Sequence, residues 1–334
     1  MLTARTADRD YVEAEEAERG EAYRCRECQS DVVFKAGRLR IAHFAHKPGT
    51  ACAFGAKMSL AHLTAQRRLA DALRARGVNA VLESFMPSLA GDRRVDVLAW
   101  PADRPDLRIA LEVQASEMTT ELIAARTGSY DAENVAPLWL RLLDFGRFET
   151  VQTLPHRGTI WIDKYRARAW ERWAHDQLGG RLWFLDQGTF LAWRGTFVPA
   201  HSYKDYNSWY NQSGDEVSAG GYWQEIVQWV ELELDGPFLL ADLRLMRRRV
   251  IGADKTRRLA AWFVGPSEAA AAPAAPKVRS EFRRERWGMG RHLEVHVDGR
   301  WIPALTEETA SDWRTVRAPV ASVASPAAQP GSDA

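Results

Sequence analysis

The chain has 334 residues, enough for two domains with cores of their own, and a formal net charge of +1. So even a balance carries no global polyelectrolyte signature, and any nucleic-acid contact has to come from local patches. No apolar run is long enough to span a bilayer, so no membrane partner is expected. The N-terminus lacks the apolar core of a secretory signal. The only three cysteines are Cys25, Cys28 and Cys52. An odd number in a large chain argues against a disulfide framework and for a reducing, cytoplasmic setting.

Residues 1–22 are polar and charged and read as a flexible, solvated lead-in. Structure is expected from Tyr23. The tight Cys25-x-x-Cys28 turn suits one half of a tetrahedral zinc site, because two thiolates reach one ion from a short knuckle. A hairpin over Val32–Lys35 and Leu39–Ala42 leads to His43-Phe44-Ala45-His46. Cys25, Cys28, His43 and His46 give a Cys₂His₂ set. Cys52 competes for a place and would give Cys₃His with one of the histidines. With four protein ligands such a site is structural, since no coordination position stays open for chemistry. The reading places a zinc-ribbon-like domain at residues 23–56.

Lys57–Arg76 has the period of a helix, with Ser59, His62, Leu63, Gln66, Leu69, Ala70 and Leu73 on one face and Gly77 closing it. Val78–Phe85 reads as a strand with Glu83 inside an apolar run. Two more short apolar runs follow, R-R-V-D-V-L-A-W and R-I-A-L-E-V-Q, each carrying one carboxylate, Asp96 and Glu112. Alternation puts Glu112, Gln114 and Ser116 on one face of the second run. If the runs pair, Asp96 and Glu112 sit side by side. Carboxylates so placed repel and resist desolvation, and a hard cation such as Mg²⁺ or Mn²⁺ relieves both. Ion pairs with Arg93, Arg94 or Arg108 are the plainer alternative. Thr119–Tyr130 looks helical, and Val135–Leu143 is a continuous apolar run, as a strand covered on both sides would be.

The order helix, three strands, helix, strand, with Asp on the second strand and Glu-x-Gln on the third, resembles the PD-(D/E)XK nuclease core. The detail resembles the competence protein CoiA family. It is carried by Cys25 and Cys28, His43 to His46, Ser59 and His62, Arg94 to Leu98, Glu112 to Ser116, and Arg126 with Tyr130. The resemblance spans roughly residues 23–145. It implies an α/β, restriction-endonuclease-like core at 57–150 behind a small zinc knuckle, acting on DNA during processing or recombination of incoming DNA. The partners it implies are DNA, single strands included, and recombination proteins. Asp96 and Glu112 would hold Mg²⁺ or Mn²⁺, Gln114 would orient water, and Glu83 or His62 would assist. Gln114 stands where the wider motif has a charged lysine, so a DNA-binding or recombination-accessory role without turnover is the competing expectation; Lys57 or His62 would have to supply the missing charge.

Beyond residue 150 tryptophans crowd the chain, including Trp161, Trp170, Trp173, Trp183, Trp193, Trp209, Trp223 and Trp229. A separate aromatic-rich α+β domain is expected at 151–264, its rings serving either as core or as stacking platforms for single-stranded DNA. Trp161–Gln177 reads as a helix, and a hairpin turns at Gln187-Gly188. Arg247–Arg249 and Lys255–Arg258 are candidate phosphate contacts. Residues 265–334 read as an Ala/Pro-rich linker and tail, with a small hairpin within 281–304.

Overall fold

The computed structural model describes residues 1–38, 40–52, 58–86, 93–148, 151–154, 159–205, 208–218, 220–265, 282–285, 292–297 and 300–303. In chain order they form β1 (Thr3–Ala4), β2 (Val12–Glu13), β3 (Tyr23–Arg24), β4 (Asp31–Lys35), β5 (His43–His46), α1 (Leu60–Arg74), β6 (Val78–Met86), β7 (Arg93–Pro101), β8 (Ile109–Gln114), α2 (Thr120–Ala132) and β9 (Ala136–Leu143). Then come β10 (Val151–Leu154), β11 (Thr159–Tyr165), α3 (Ala169–Gln177), β12 (Leu182–Asp186), β13 (Ala192–Asp205), β14 (Ser208–Tyr210), β15 (Glu216–Ser218), β16 (Gly221–Phe238), β17 (Arg244–Ile251) and β18 (Arg257–Val264). A three-stranded sheet of β19 (Phe282–Glu285), β20 (His292–Val297) and β21 (Arg300–Pro303) belongs to a second unit. It contains the small hairpin expected there. Residues 266–281 and 304–334, where the linker and tail were expected, lie outside the described residues.

The organising element is a nine-stranded mixed sheet in the order β10-β11-β16-β13-β12-β9-β8-β7-β6. Strand β9 lies parallel to both β8 and β12 at the centre, and all eight of its residues are buried, as its unbroken apolar run requires. Helix α1 starts where Ser59 accepts a hydrogen bond from the His62 backbone and closes beside Gly77, whose φ of 73° is the left-handed conformation a helix end favours. Its Leu63, Leu69 and Leu73 pack with Leu111 and Val113 of β8. Helix α2, capped by Thr119, contributes Ile123 and Tyr130 to a second cluster with Ala110 and Trp139. Residues 110 and 111 point to opposite faces, so α1 and α2 cover opposite faces of the sheet.

Three expectations change here. The aromatic region is not a separate domain: β11, β12, β13 and β16 extend the same sheet, and its buried rings Trp170, Trp183 and Trp193 join the two cores. The stretch Trp161–Gln177 splits into β11 and α3, because Trp161 and Ile162 pair in the sheet before the helix begins. Nor are residues 1–22 a solvated lead-in. Met1, Leu2, Ala4, Val12 and Ala14 are buried, and β1 pairs with β2. The polar composition hides this because the strands are only two residues long and alternate with exposed acids.

Candidate functional site: a cysteine cluster and a carboxylate pair

The N-terminal site is built on the Cys25–Ser30 turn. The Cys25 amide donates to Ser30 O at 2.8 Å and the Gln29 amide to Cys25 O at 3.1 Å. Gln29 takes a φ of 63°, which tightens the knuckle. The Glu27 amide points at Cys25 Sγ at 3.4 Å. Strand β5 then places His46 beside Val32 of β4. Cys25, Cys28, Cys52 and His46 offer ligand atoms that all lie within 4.8 Å of one another. Of the two sets the sequence left open, the structure assembles Cys₃His. His43 is excluded: its Nδ1 lies 2.9 Å from Ile41 O. The reason is strand geometry, since residues three apart on a strand face opposite ways. Hydrogen bonds from Ser30, with His46 and Cys52 alongside, bring the Cys28 thiol down to about 6, which favours the thiolate a metal needs.

The second site lies across β6, β7 and β8. The β7–β8 ladder ends at the pair Val97–Leu111, and Asp96 and Glu112 are the next residues along their two strands. Glu112 is buried, and the Asp96 side chain is 13% exposed. Asp96 is held from the α1 side and from the sheet edge. Gln66 Nε2 donates to Oδ1 at 2.6 Å, His62 Nε2 lies 3.3 Å from the same oxygen, and the Val113 amide donates to Oδ2 at 2.8 Å. Burial alone would raise its pKa, but His62, the Val113 amide and Arg126 hold it below the usual carboxylate value. The same pairing holds His62 above its ordinary value despite its burial.

Glu112 is held from the other face. Arg126 Nη2 donates to Oε2 at 2.6 Å and the Tyr130 hydroxyl donates to Oε1. The Arg126 guanidinium also lies over the Trp139 ring at 5.3 Å. Burial, and the charge of Asp96, push Glu112 up to about 7 in spite of Arg126 and Tyr130. The carboxylates thus lie just past the end of the paired stretch, and each has its own set of protein donors, Asp96 from α1 and the Val113 amide and Glu112 from α2.

The other expected residues are placed differently. Glu83 stands across from Asp96 in the β6–β7 ladder, yet it has a φ of 48°, and its carboxylate accepts from the Leu2 amide at 2.9 Å, the Thr3 amide at 3.0 Å and the Thr3 hydroxyl at 2.7 Å. It anchors the N-terminal strand. Gln114 turns away from the pair and donates to Ser116 O and Oγ, both at 3.1 Å. Lys57 lies outside the described residues. Arg141 and Gln66 were not singled out for this site. Arg141 is buried, donates to Ala115 O at 2.7 Å and pairs with Glu171 at 2.7 Å, which fixes the chain just past Gln114. A charged residue inside an otherwise apolar strand was the available signal. Gln66, one turn beyond His62, is fully buried.

A sheet flanked by α1 and α2, with buried acids on its central strands and a cysteine cluster ahead of it, defines a two-part protein: a cysteine-rich module followed by an α/β nuclease-like domain. Family comparison agrees. The model for "Competence protein CoiA, N-terminal domain" matches residues 6–55 and that for "Competence protein CoiA, nuclease-like domain" matches residues 59–197. Competence protein CoiA of Bacillus subtilis (strain 168) is 26% identical over 117 residues, which are 35% of this chain and 30% of that protein. The chain belongs to the CoiA-like family. A solved protein of unknown function, AF1548, aligns at 13% identity over 25% of this chain and 48% of its own, with a TM-score of 0.20, too low to bear on fold or function. Among the described residues no helix is long and apolar enough to cross a membrane.

Proposed function

We propose that the chain is a divalent-metal-dependent DNA nuclease with a PD-(D/E)XK core, working in the processing or recombination of incoming DNA. The observation that carries this reading is the Asp96–Glu112 pair just past the end of the β7–β8 ladder, near enough for the charge of Asp96 to act on Glu112, with His62 and Gln66 on one side and Arg126 on the other. The donor set fits Mg²⁺ or Mn²⁺: two carboxylates, and Gln66 Oε1, which is buried with no hydrogen-bond partner among the described residues. A bound ion would polarise the phosphate and lower the pKa of a water. Asp96 and Glu112 would hold it. Arg126, released from Glu112 when the ion binds, would be free to meet the phosphate. Gln114 has the amide to orient water once it leaves Ser116, and His62 is placed to accept or hold a proton beside Asp96. Glu83 acts at one remove, by fixing the N-terminal strand to β6.

The Cys₃His cluster would hold Zn²⁺ as a structural ion, three thiols and one imidazole being a soft donor set for it. Its free thiols accord with a reducing cytoplasm. A second reading, a DNA-binding or recombination-accessory protein without turnover, is favoured by one observation. Both Glu112 oxygens are already engaged by Arg126 and Tyr130. Nicking of single- and double-stranded DNA by the purified chain, with Mg²⁺ or Mn²⁺ present or chelated, separates the two. Metal-dependent cleavage abolished by Asp96→Ala supports the nuclease. DNA binding with no cleavage in either metal supports the accessory role.

A further inference from the structure

Strands β13 and β16 leave the sheet together. As far as Pro199 and Val230 they are part of it, with β12 and β11 alongside. There the register breaks: the next pair is His201 with Glu225, so residues 226–229 bulge out opposite Ala200. From that bulge onward the two strands pair only with each other, to Asp205 and Gly221, and the ribbon ends in the β14–β15 hairpin. Asn211 closes its turn, its Oδ1 accepting from the Ser213 and Asp215 amides, both at 2.9 Å. Large apolar side chains stand out from this arm: Trp209 is 50% exposed, Tyr210 72%, Trp223 69% and Val227 81%. A lone two-stranded ribbon is marginal in water, and so much exposed aromatic surface marks an interaction site.

Charge decides the partner. Between residues 201 and 225 one lysine faces four carboxylates, Asp205, Asp215, Glu216 and Glu225. Such an arm repels phosphate, which removes it as a stacking platform for DNA. The complementary surface is on the same chain. The β17–β18 hairpin, residues 244–264, carries seven lysines and arginines against one carboxylate, Asp254. Arg247 and Arg249 are engaged inward, with Asn134 and Asp131. Arg244, Arg248 and Arg257 remain exposed beside exposed Met246 and Ile251, and Arg248 lies over the Trp262 ring at 4.9 Å.

We infer that the acidic aromatic arm docks on the basic β17–β18 hairpin of a second copy of this chain, each copy giving one arm and receiving one, so that two identical contacts close a dimer. The inference is independent of the nuclease reading, since neither surface includes a carboxylate-site residue.

Sedimentation of the full-length chain over a range of concentrations tests it. The wild type should dimerise at low ionic strength and dissociate as salt rises. Trp223→Ser, or Glu216→Lys with Glu225→Lys, should weaken dimerisation by about tenfold or more. Arg244→Glu with Arg248→Glu should do the same, and mixing the two charge-reversed proteins should restore association. All these side chains are exposed, so melting of the monomer serves as the folding control. A monomer at every concentration in low salt, or a dimer indifferent to both charge reversals, overturns the inference. So does loss of oligothymidylate binding on arm substitution with sedimentation unchanged, which would put nucleic acid on the arm.

Discussion

The cysteine cluster and the carboxylate pair are both made of metal-ligating residues, but their polar atoms are committed differently. In the cluster four donor atoms converge on one another. In the pair they diverge: Asp96 is held by Gln66, His62 and the Val113 amide, Glu112 by Arg126 and Tyr130. In the first arrangement three thiols and an imidazole face one another, a soft donor set that could hold a metal. The second is neutralised by the protein itself, and a metal has to displace protein donors. The first arrangement suits an ion that stays; the second would take one only in exchange for protein donors.

The largest effect that would break this contrast is at the cluster. Cys52→Ser should strip the metal and unfold residues 23–52, because structural zinc contributes about 10–16 kcal/mol to the folding of small units. His43→Ala should retain about one metal per chain, by the same one-site geometry. Metal analysis and limited proteolysis read both. Loss of the metal in His43→Ala with retention in Cys52→Ser would return the site to Cys₂His₂.

Next is Arg126→Ala, which leaves Glu112 buried beside Asp96 without its cation. The cost should be about 3–5 kcal/mol in denaturant unfolding without divalent ions. Mn²⁺ should restore more stability to this variant than it adds to the wild type, since the ion no longer competes with the guanidinium.

The pH dependence sharpens the contrast further. Glu112 titrates at about 7 in the fold and near 4.5 in the unfolded chain. Between those values the folded state binds more protons, so stability falls as pH rises through the window, by on the order of 3 kcal/mol. Asp96 acts in the opposite sense. Its lowered pKa gives stability that is present above its unfolded value and lost as pH falls toward its folded value. Glu112→Gln should therefore flatten the decline between about pH 5 and 7 and leave the acid limb intact. An unchanged decline would place the titrating group elsewhere. The smallest effect is at Gln114→Lys, a partly exposed position, with a stability change within about 0.5 kcal/mol. Its informative readout is the rate of cleavage.

Much of this was legible in the sequence, for local reasons. Gly77 closes α1, Thr119 caps α2, and the apolar runs of β6 to β9 fix their order, whereas Ser59, read as part of the helical face, caps α1 instead. Arg126 and Tyr130 lie one helical turn apart and meet the same carboxylate. What was not legible depends on the chain's path. The choice between His43 and Cys52 needed the strand identity of residues 43–46, and strand alternation then decides it. Glu83 resembles an active-site acid until its positive φ and the return of Leu2 and Thr3 are seen. The aromatic region has the composition of its own domain, and only the parallel pairing of β12 with β9 shows it to be the same sheet.

The central claim is that Asp96 and Glu112 together hold a divalent ion in exchange for Arg126. Thermal melting of the wild type, Asp96→Asn and Glu112→Gln, titrated with Mg²⁺ and Mn²⁺ above pH 7, tests it most directly. The account predicts a rise in wild-type melting temperature with ion concentration, steeper above pH 7 than below, and little rise in either variant. Melting of the wild type that ignores both ions, or that responds equally in all three proteins, would contradict it and leave the pair as a structural ion-pair network.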